Sequence, residues 1–243
     1  MAFVHGKSAC VIVDAYDLSA YFNDVSWSQE VSADETTGFG SSDKTYIVGL
    51  GDGKISASGL FDGTATVGSD ARMDAALGAS SDSLLLTGPS GNSLGARVKI
   101  AAGVATNYEV SEKVTDVVET KAEFQADGGI DSGIILAAAR SVATATTTNE
   151  TSQDNAASTA NGGVAHLHVT ANATSSTTIV KVQHSSNNST WVDLVTFTTV
   201  ATTVLTSERV AVAAGTTVNR YLRATSTTAG TGAVVYTVAF ARR

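Results

Sequence analysis

Two histidines, His166 and His168, stand two residues apart in the run Gly163-Val-Ala-His-Leu-His-Val169. In an extended chain such residues share a face, and two imidazoles on one face can share a metal ion. No Cys, Asp or Glu lies close enough in sequence to complete a ligand set, so the pair reads as an exposed polar face opposite Leu167 and Val169. His184 closes a later strand and reads as a surface or turn residue. The run GLGDGK, residues 49–54, is glycine-rich but lacks the spacing of a phosphate loop and precedes no helix. Gly51-Asp52-Gly53 reads as a hairpin turn between two strands. Asp14, Asp17, Asp34, Glu35 and Asp43 contain the raw material of an acid/base pair, but their scatter suits a solvated face. Cys10, the only cysteine, lies in the apolar run Ala9-Cys-Val-Ile-Val13 and reads as a buried thiol with no disulfide to make. Trp191 and Tyr221 are candidate glycan contacts, or core aromatics of a small β domain. No nucleophile–base pair or cofactor motif emerges, and neither catalysis nor a cofactor is expected.

The elements that must position these residues are mostly strands. Val25, Trp27, Gln29 and Val31 alternate with Ser26, Ser28, Glu30 and Ser32, the period of a half-buried strand. Further strands are expected at 8–14, 44–50, 54–61, 83–87, 95–110 and 114–126. In the last, Val118, Thr120, Ala122, Phe124 and Ala126 alternate with Glu119, Lys121, Glu123 and Gln125. One helix is expected over 69–78, capped by Ser69 or Asp70, with Met73, Ala76 and Leu77 on its apolar face and Gly78 as its stop. Residues 141–163 are rich in Thr, Ser and Asn without a clear period and read as a linker. Six strands follow, at 164–171, 177–184, 190–198, 203–212, 218–226 and 233–241, suggesting a small β-sandwich. The expected division is a domain at 1–140, a linker at 141–163 and a second domain at 164–243.

Composition sets outer bounds. At 243 residues and 43% hydrophobic content, the chain can bury a core. Residues 1–148 carry 9 Lys+Arg against 19 Asp+Glu, and residues 149–243 carry 6 against 4. An acidic first half argues against a nucleic-acid grip, which needs cations to neutralise phosphate. No apolar run is long enough for a membrane helix, and no signal-peptide pattern opens the chain, so membrane insertion is not expected and folding in the cytoplasm is.

One feature remains without chemistry: the polar stretch between the strands at 23–32 and 44–50, far longer than a tight hairpin needs. Its context carries a family resemblance. Asp17-Leu18-Ser19, then VSWSQEVS, then Thr36-Thr37-Gly38-Phe39-Gly40, then Gly59-Leu60-Phe61-Asp62-Gly63 before the helix resemble the tail tube proteins of long-tailed bacteriophages over roughly residues 1–140. The C-terminal part resembles the Ig-like or carbohydrate-module-like domains that some such proteins carry outside the tube. The resemblance implies a mainly β fold, a tail-tube-type sandwich or barrel with one short helix plus a small C-terminal sandwich. It implies hexameric rings stacked into a tube for genome passage, in a virion tail made in the host cytoplasm. The implied partners are identical subunits, a tape-measure protein, tail terminator and tail-tip proteins, and double-stranded DNA that transits without specific binding. It also implies that Asp34, Glu35, Thr36, Thr37, Gly38, Phe39 and Gly40 form a ring-stacking or intersubunit loop, and it makes Glu119 and Glu123 candidates for the channel lining. The rival readings are a virion surface or adhesion protein binding host glycans through Trp191 and Tyr221, and the tube of a contractile machine.

Overall fold

The computed structural model describes residues 6–143 and 145–243. It is mainly β: among the described residues there are fifteen strands and one α-helix. The strands do not group by the expected division near residue 150. One compact unit gathers the chain up to Ala20, Ser83–Ile100 and Asp131–Arg243, and the other Tyr21–Asp82 and Ala101–Ile130. Alternation along a strand says which face is buried but not which distant strand pairs with it. The charge divides more sharply by unit than by sequence half. The first unit holds 10 Lys+Arg and 7 Asp+Glu, the second 5 and 16.

The first unit contains β1 (Cys10–Val13), β2 (Tyr16–Asp17), β5 (Ser83–Gly88), β10 (Gly163–Asn172), β13 (Thr206–Val212) and β15 (Val234–Arg242). It also takes the start of β6 (Arg97–Ser111) and the end of β7 (Glu119–Val142), in the order β13-β10-β15-β7-β6-β5-β1-β2. A second sheet holds β8 (Thr146–Asn149), β9 (Gln153–Asp154), β11 (Thr178–Ser185), β12 (Val192–Thr196) and β14 (Tyr221–Thr228). Leu167, Val169, Tyr236 and Val238 share one apolar cluster with Val180, Val182, Val195 and Leu222 of that sheet. Val164, Ala239 and Ala241 share another with Cys10, Ile12, Leu86, Val98 and Ile135. Strands β10 and β15 are therefore covered on both faces, which suits their near-continuous apolar sequences. The six strands expected after residue 163 are all present, but their sheet also recruits β7, whose Ile134 and Ile135 pair with Phe240 and Ala239.

Two expectations change here. The expected 141–163 linker contains β8 and β9, which pair with β14 through Ser226↔Thr148 and Tyr221↔Asp154. The two histidines expected on an exposed face are both fully buried, because β10 has a layer on each side. Nδ1 of His168 lies 2.6 Å from the Asp14 carbonyl. Among the described residues, His168 Nε2 and both ring nitrogens of His166 have no hydrogen-bond partner. The ring centroids are 5.7 Å apart. Burial holds the His168 pKa down to about 4 and that of His166 well below the ordinary imidazole range. His184, expected at the surface, is half-buried and accepts a hydrogen bond from the Asn219 amide.

The second unit is built on β3 (Phe22–Glu35) and β4 (Tyr46–Leu60), with α1 (Ser69–Ala76) and the remaining lengths of β6 and β7. Strand β3 pairs with β4, and β4 pairs with β7 over Lys54↔Gln125 to Leu60↔Glu119. Thr120, Ala122 and Phe124 are buried, so the alternation read in β7 is the one observed. The two strands expected at 44–50 and 54–61 are a single strand. Gly51-Asp52-Gly53 is not a turn but pairs with Val31, Glu30 and Gln29. Glycine is there for space: a Cβ on Gly53 would stand 3.1 Å from Ile130 Cγ1 and 3.2 Å from Ala126 Cβ. The register slips between Val31 and Ala33, where Gly49 and Leu50 lie opposite Ser32.

Helix α1 starts one residue from where it was expected to be capped. Gly68 is its N-cap, while Ser69 Oγ accepts from the Asp62 amide and donates to the Leu60 carbonyl. Met73 and Ala76 are buried as expected, whereas Leu77 lies beyond the last turn and is exposed. Gly78 adopts φ 71°, the left-handed stop that glycine tolerates.

The approach of β3 to β4 is closest at Gly59, where a Cβ would fall on the Tyr21 carbonyl oxygen and lie 2.6 Å from Phe22 Cα. Backbone cannot yield as a flexible side chain can. Gly59→Ala is expected to destabilise the protein by about 2–3 kcal/mol and lower its thermal midpoint by several degrees. Gly51→Ala, whose Cβ would find its nearest neighbour 3.9 Å away, is the control and should change little. Equal midpoints for the two variants would refute this steric account.

Candidate assembly surface

Strands β3 and β4 outrun the sheet. Strand β4 meets β7 only from Lys54 onward, so residues 29–35 and 46–53 form a two-stranded arm with no third strand. Such a ribbon has little core of its own. Its end is tied by the Thr36 amide donating to the Thr45 carbonyl at 2.8 Å, the Thr45 amide to Thr37 Oγ1 at 3.1 Å, and Lys44 to Glu35 at 2.8 Å. The Lys44 ammonium and the Thr37 hydroxyl hold the Glu35 carboxylate below its ordinary pKa. Gly40, at φ 88°, turns the tip.

The seven residues expected to form the loop divide between strand and tip. Asp34 and Glu35 end β3, paired with Ile47 and Tyr46, while Thr36, Thr37, Gly38, Phe39 and Gly40 lie in the connection. The half-buried face expected for Val25, Trp27, Gln29 and Val31 is met only at Val25; the others are exposed. Val48 and Leu50 are 77% and 87% exposed, and Trp27, Phe39, Tyr46 and Ile47 are exposed beside them. Along its full length β3 pairs only with β4 among the described residues, which leave its other edge open. Such an edge, carrying this much apolar surface, is a template for another chain.

The sheet of this unit also has a polar face. Registers put Ser26, Ser56 and Glu123 in one row, Ser28, Lys54 and Gln125 in the next, and Ser58 with Lys121 in a third. Glu123 lies 2.7 Å from both Lys54 and Lys121, and these ammonium groups hold its carboxyl down to about 2. Alternation along β7 places Glu119 on the same face. The side chain of Gln125 reaches Asp52, so that carboxylate belongs to this face as well. With Asp24 and Glu30 the face carries at least five carboxylates, beside Lys54 and Lys121.

The remaining candidates do other work. Asp14 accepts from the Leu84 amide and Asp17 from Ser19, so both shape turns. The Cys10 thiol is buried and raised to about 11, which leaves it unreactive. Trp191 and Tyr221 are half-buried and belong to neither apolar cluster. The Arg223 guanidinium lies 4.2 Å from the Trp191 ring centre, occupying one of its faces, and donates to Gln183. Among the described residues no group of three His, Cys, Asp or Glu side chains is placed to hold a metal ion, and no helix is long and apolar enough to cross a membrane.

No protein-family model matches the chain, and no curated protein matches it. Among solved structures, it is similar to a chain in the virion of a native gene transfer agent particle, at 14% identity and TM-score 0.41, covering 53% of this chain and 97% of that one. It is similar to the SPP1 Dit (gp 19.1) protein, described as a hub adsorption apparatus in Gram-positive infecting phages, at 13% identity and TM-score 0.37, covering 96% and 98%. A chain from the tail of an empty gene transfer agent particle with C6 symmetry gives 12% identity and TM-score 0.40, covering 52% and 96%. Similarity this low leaves function to be argued from the chain's own surfaces.

Proposed function

We propose that the protein is a structural subunit of a phage tail tube, assembling with copies of itself into stacked hexameric rings. The observation that carries this reading is the β3–β4 arm: an open strand edge and a set of large apolar side chains that a solitary chain leaves in water. In a ring, the open edge of β3 pairs with a strand of the next copy, a heterologous contact that closes on itself and covers that edge. The arm, with Asp34 to Gly40 at its end, reaches a neighbouring subunit and covers Phe39, Val48 and Leu50. The polar face bearing Glu119 and Glu123 lines the channel, where its surplus of carboxylates repels DNA phosphate and keeps the genome from sticking. A tape-measure protein occupies the channel during assembly, and terminator and tip proteins close its ends. The chain's role is mechanical, not catalytic.

Negative-stain electron microscopy of the purified protein over a concentration series, with light scattering on a sizing column, tests this. Six-fold rings or tubes with a central hole are expected as concentration rises. A stable dimer or trimer that never closes into rings would sink the proposal.

A further inference from the structure

A polar cleft in the first unit lies outside the assembly reading. It has a volume of about 490 Å³, in the range of small-molecule sites, and is lined by Gly95, Arg97, Ser132, Gln153, Asn155 and Arg242 among others. Its charges are unequally satisfied. Asp154 on the wall is clamped by Arg220 through two hydrogen bonds of 2.7 and 2.6 Å. Asp131, next to Ser132 in sequence, is clamped by Arg243 at 3.0 and 2.9 Å. Neither of these arginines lines the cleft, so both carboxylates are neutralised from outside it.

The two arginines that do line it have no carboxylate. Arg242 donates to the carbonyls of Asn155 and Ala157, which are neutral acceptors, and its buried Nε has no partner. Arg97 is exposed and makes no ion pair among the described residues. Lys99 adds a further ammonium at the rim, 2.6 Å from Ser132 Oγ. In a chain of net charge -8, the Arg97 and Arg242 guanidinium groups thus meet at one concavity without a carboxylate partner among the described residues.

We propose that this cleft binds a small oxyanion, carboxylate or phosphate, with the Arg97 and Arg242 guanidinium groups on the charge. Ser132, Gln153 and Asn155 offer neutral donors and acceptors beside them, so the preferred ligand is a sugar acid or sugar phosphate and not a bare apolar acid. Planar guanidinium forks suit both oxyanions. A side chain at Gly95, which adopts φ 78°, would fall on the Gln153 side-chain amide. Glycine there keeps Gln153 seated in the wall.

Isothermal titration of the full chain with D-glucuronate, inorganic phosphate and D-glucose tests the site. Glucuronate, phosphate or both should saturate while glucose does not, and affinity should fall as salt rises. Saturation by glucuronate alone marks a carboxylate site, by phosphate alone a phosphate site. Arg97→Gln changes an exposed side chain without partners, so its fold should be intact and its affinity roughly tenfold weaker. Failure of both anions to saturate, equal binding of glucose, or unchanged affinity in Arg97→Gln would each overturn the proposal.

Discussion

Replacing Val31, Val48 and Leu50 together with lysine is expected to leave the monomer folded and abolish its assembly. All three side chains are mostly exposed in the single chain, so substitution should cost the fold little. In the proposed ring they would be covered, and burying each is worth about 1.5–3 kcal/mol. Three lysines on one interface therefore forfeit on the order of 5 kcal/mol, a loss of at least a thousandfold in association, before the desolvation of charge is added. Light scattering should report a monomer at concentrations where the unmodified chain forms rings, with an unchanged circular dichroism spectrum. Removing residues 36–44 and rejoining the strands by a tight turn should act in the same direction, by shortening the reach of the arm. Rings formed by the triple lysine variant would show that the arm is not the interface.

The second large effect is a loss of stability in mild acid. An unfolded chain protonates His166 and His168 near pH 6.5, whereas the folded chain keeps His168 neutral down to about pH 4, and burial holds His166 well below its ordinary range too. The unfolded state thus binds more protons across this window. Stability is full above pH 6.5 and falls as pH drops, by up to about 1.4 kcal/mol per pH unit for each histidine. Between pH 7 and pH 5 His168 alone removes roughly 2 kcal/mol, and His166 adds to the loss in the same direction. Few groups stand ready to compensate. His168 meets the Asp14 carbonyl, His166 is paired in register with Arg209 and Ala239, and His168 with Ser207 and Thr237. The depressed carboxylates Glu123 and Asp154 lose their contribution only at lower pH, toward about 2. Urea unfolding at pH 7 and pH 5 should show the fall, and His166→Leu should reduce it while holding or raising stability at pH 7. A variant with the same pH dependence as the unmodified chain would remove His166 from this account.

What the sequence disclosed depended on whether one face or two were covered. Strand β7 has one covered face near Thr120–Phe124, and its alternation is plain in the sequence. The helix likewise shows its buried Met73 and Ala76. Strand β10 is covered twice, so its period carries no inside and outside, and the histidines within it look like surface residues until the second layer is known. The signal available was the matching apolar run of β15, Val-Val-Tyr-Thr-Val-Ala-Phe. Glycine misled at Gly51–Gly53, because a residue that permits turns equally permits the close approach of Ile130. Thr146–Asn149 resembled a linker by composition, but threonine is also a strand former, and Thr147 lies against Thr227 across the pair. The open arm posed the opposite difficulty. Its alternation is real, but the cover it implies is not supplied by this chain.

The nesting of the units bears on the order of events at the ribosome. Every segment of the Tyr21–Asp82 and Ala101–Ile130 unit has been synthesised before β10 begins. The other unit cannot close its sheet until β15, the last of the described strands, reaches β7 and β10. Its sequence separations are among the longest the chain allows, so it should be the slow step of folding. During that interval the early unit exposes an adhesive edge on a polypeptide that is still incomplete. The surplus of carboxylates on that same unit then acts as a delay, holding nascent chains apart by like charge until each is finished.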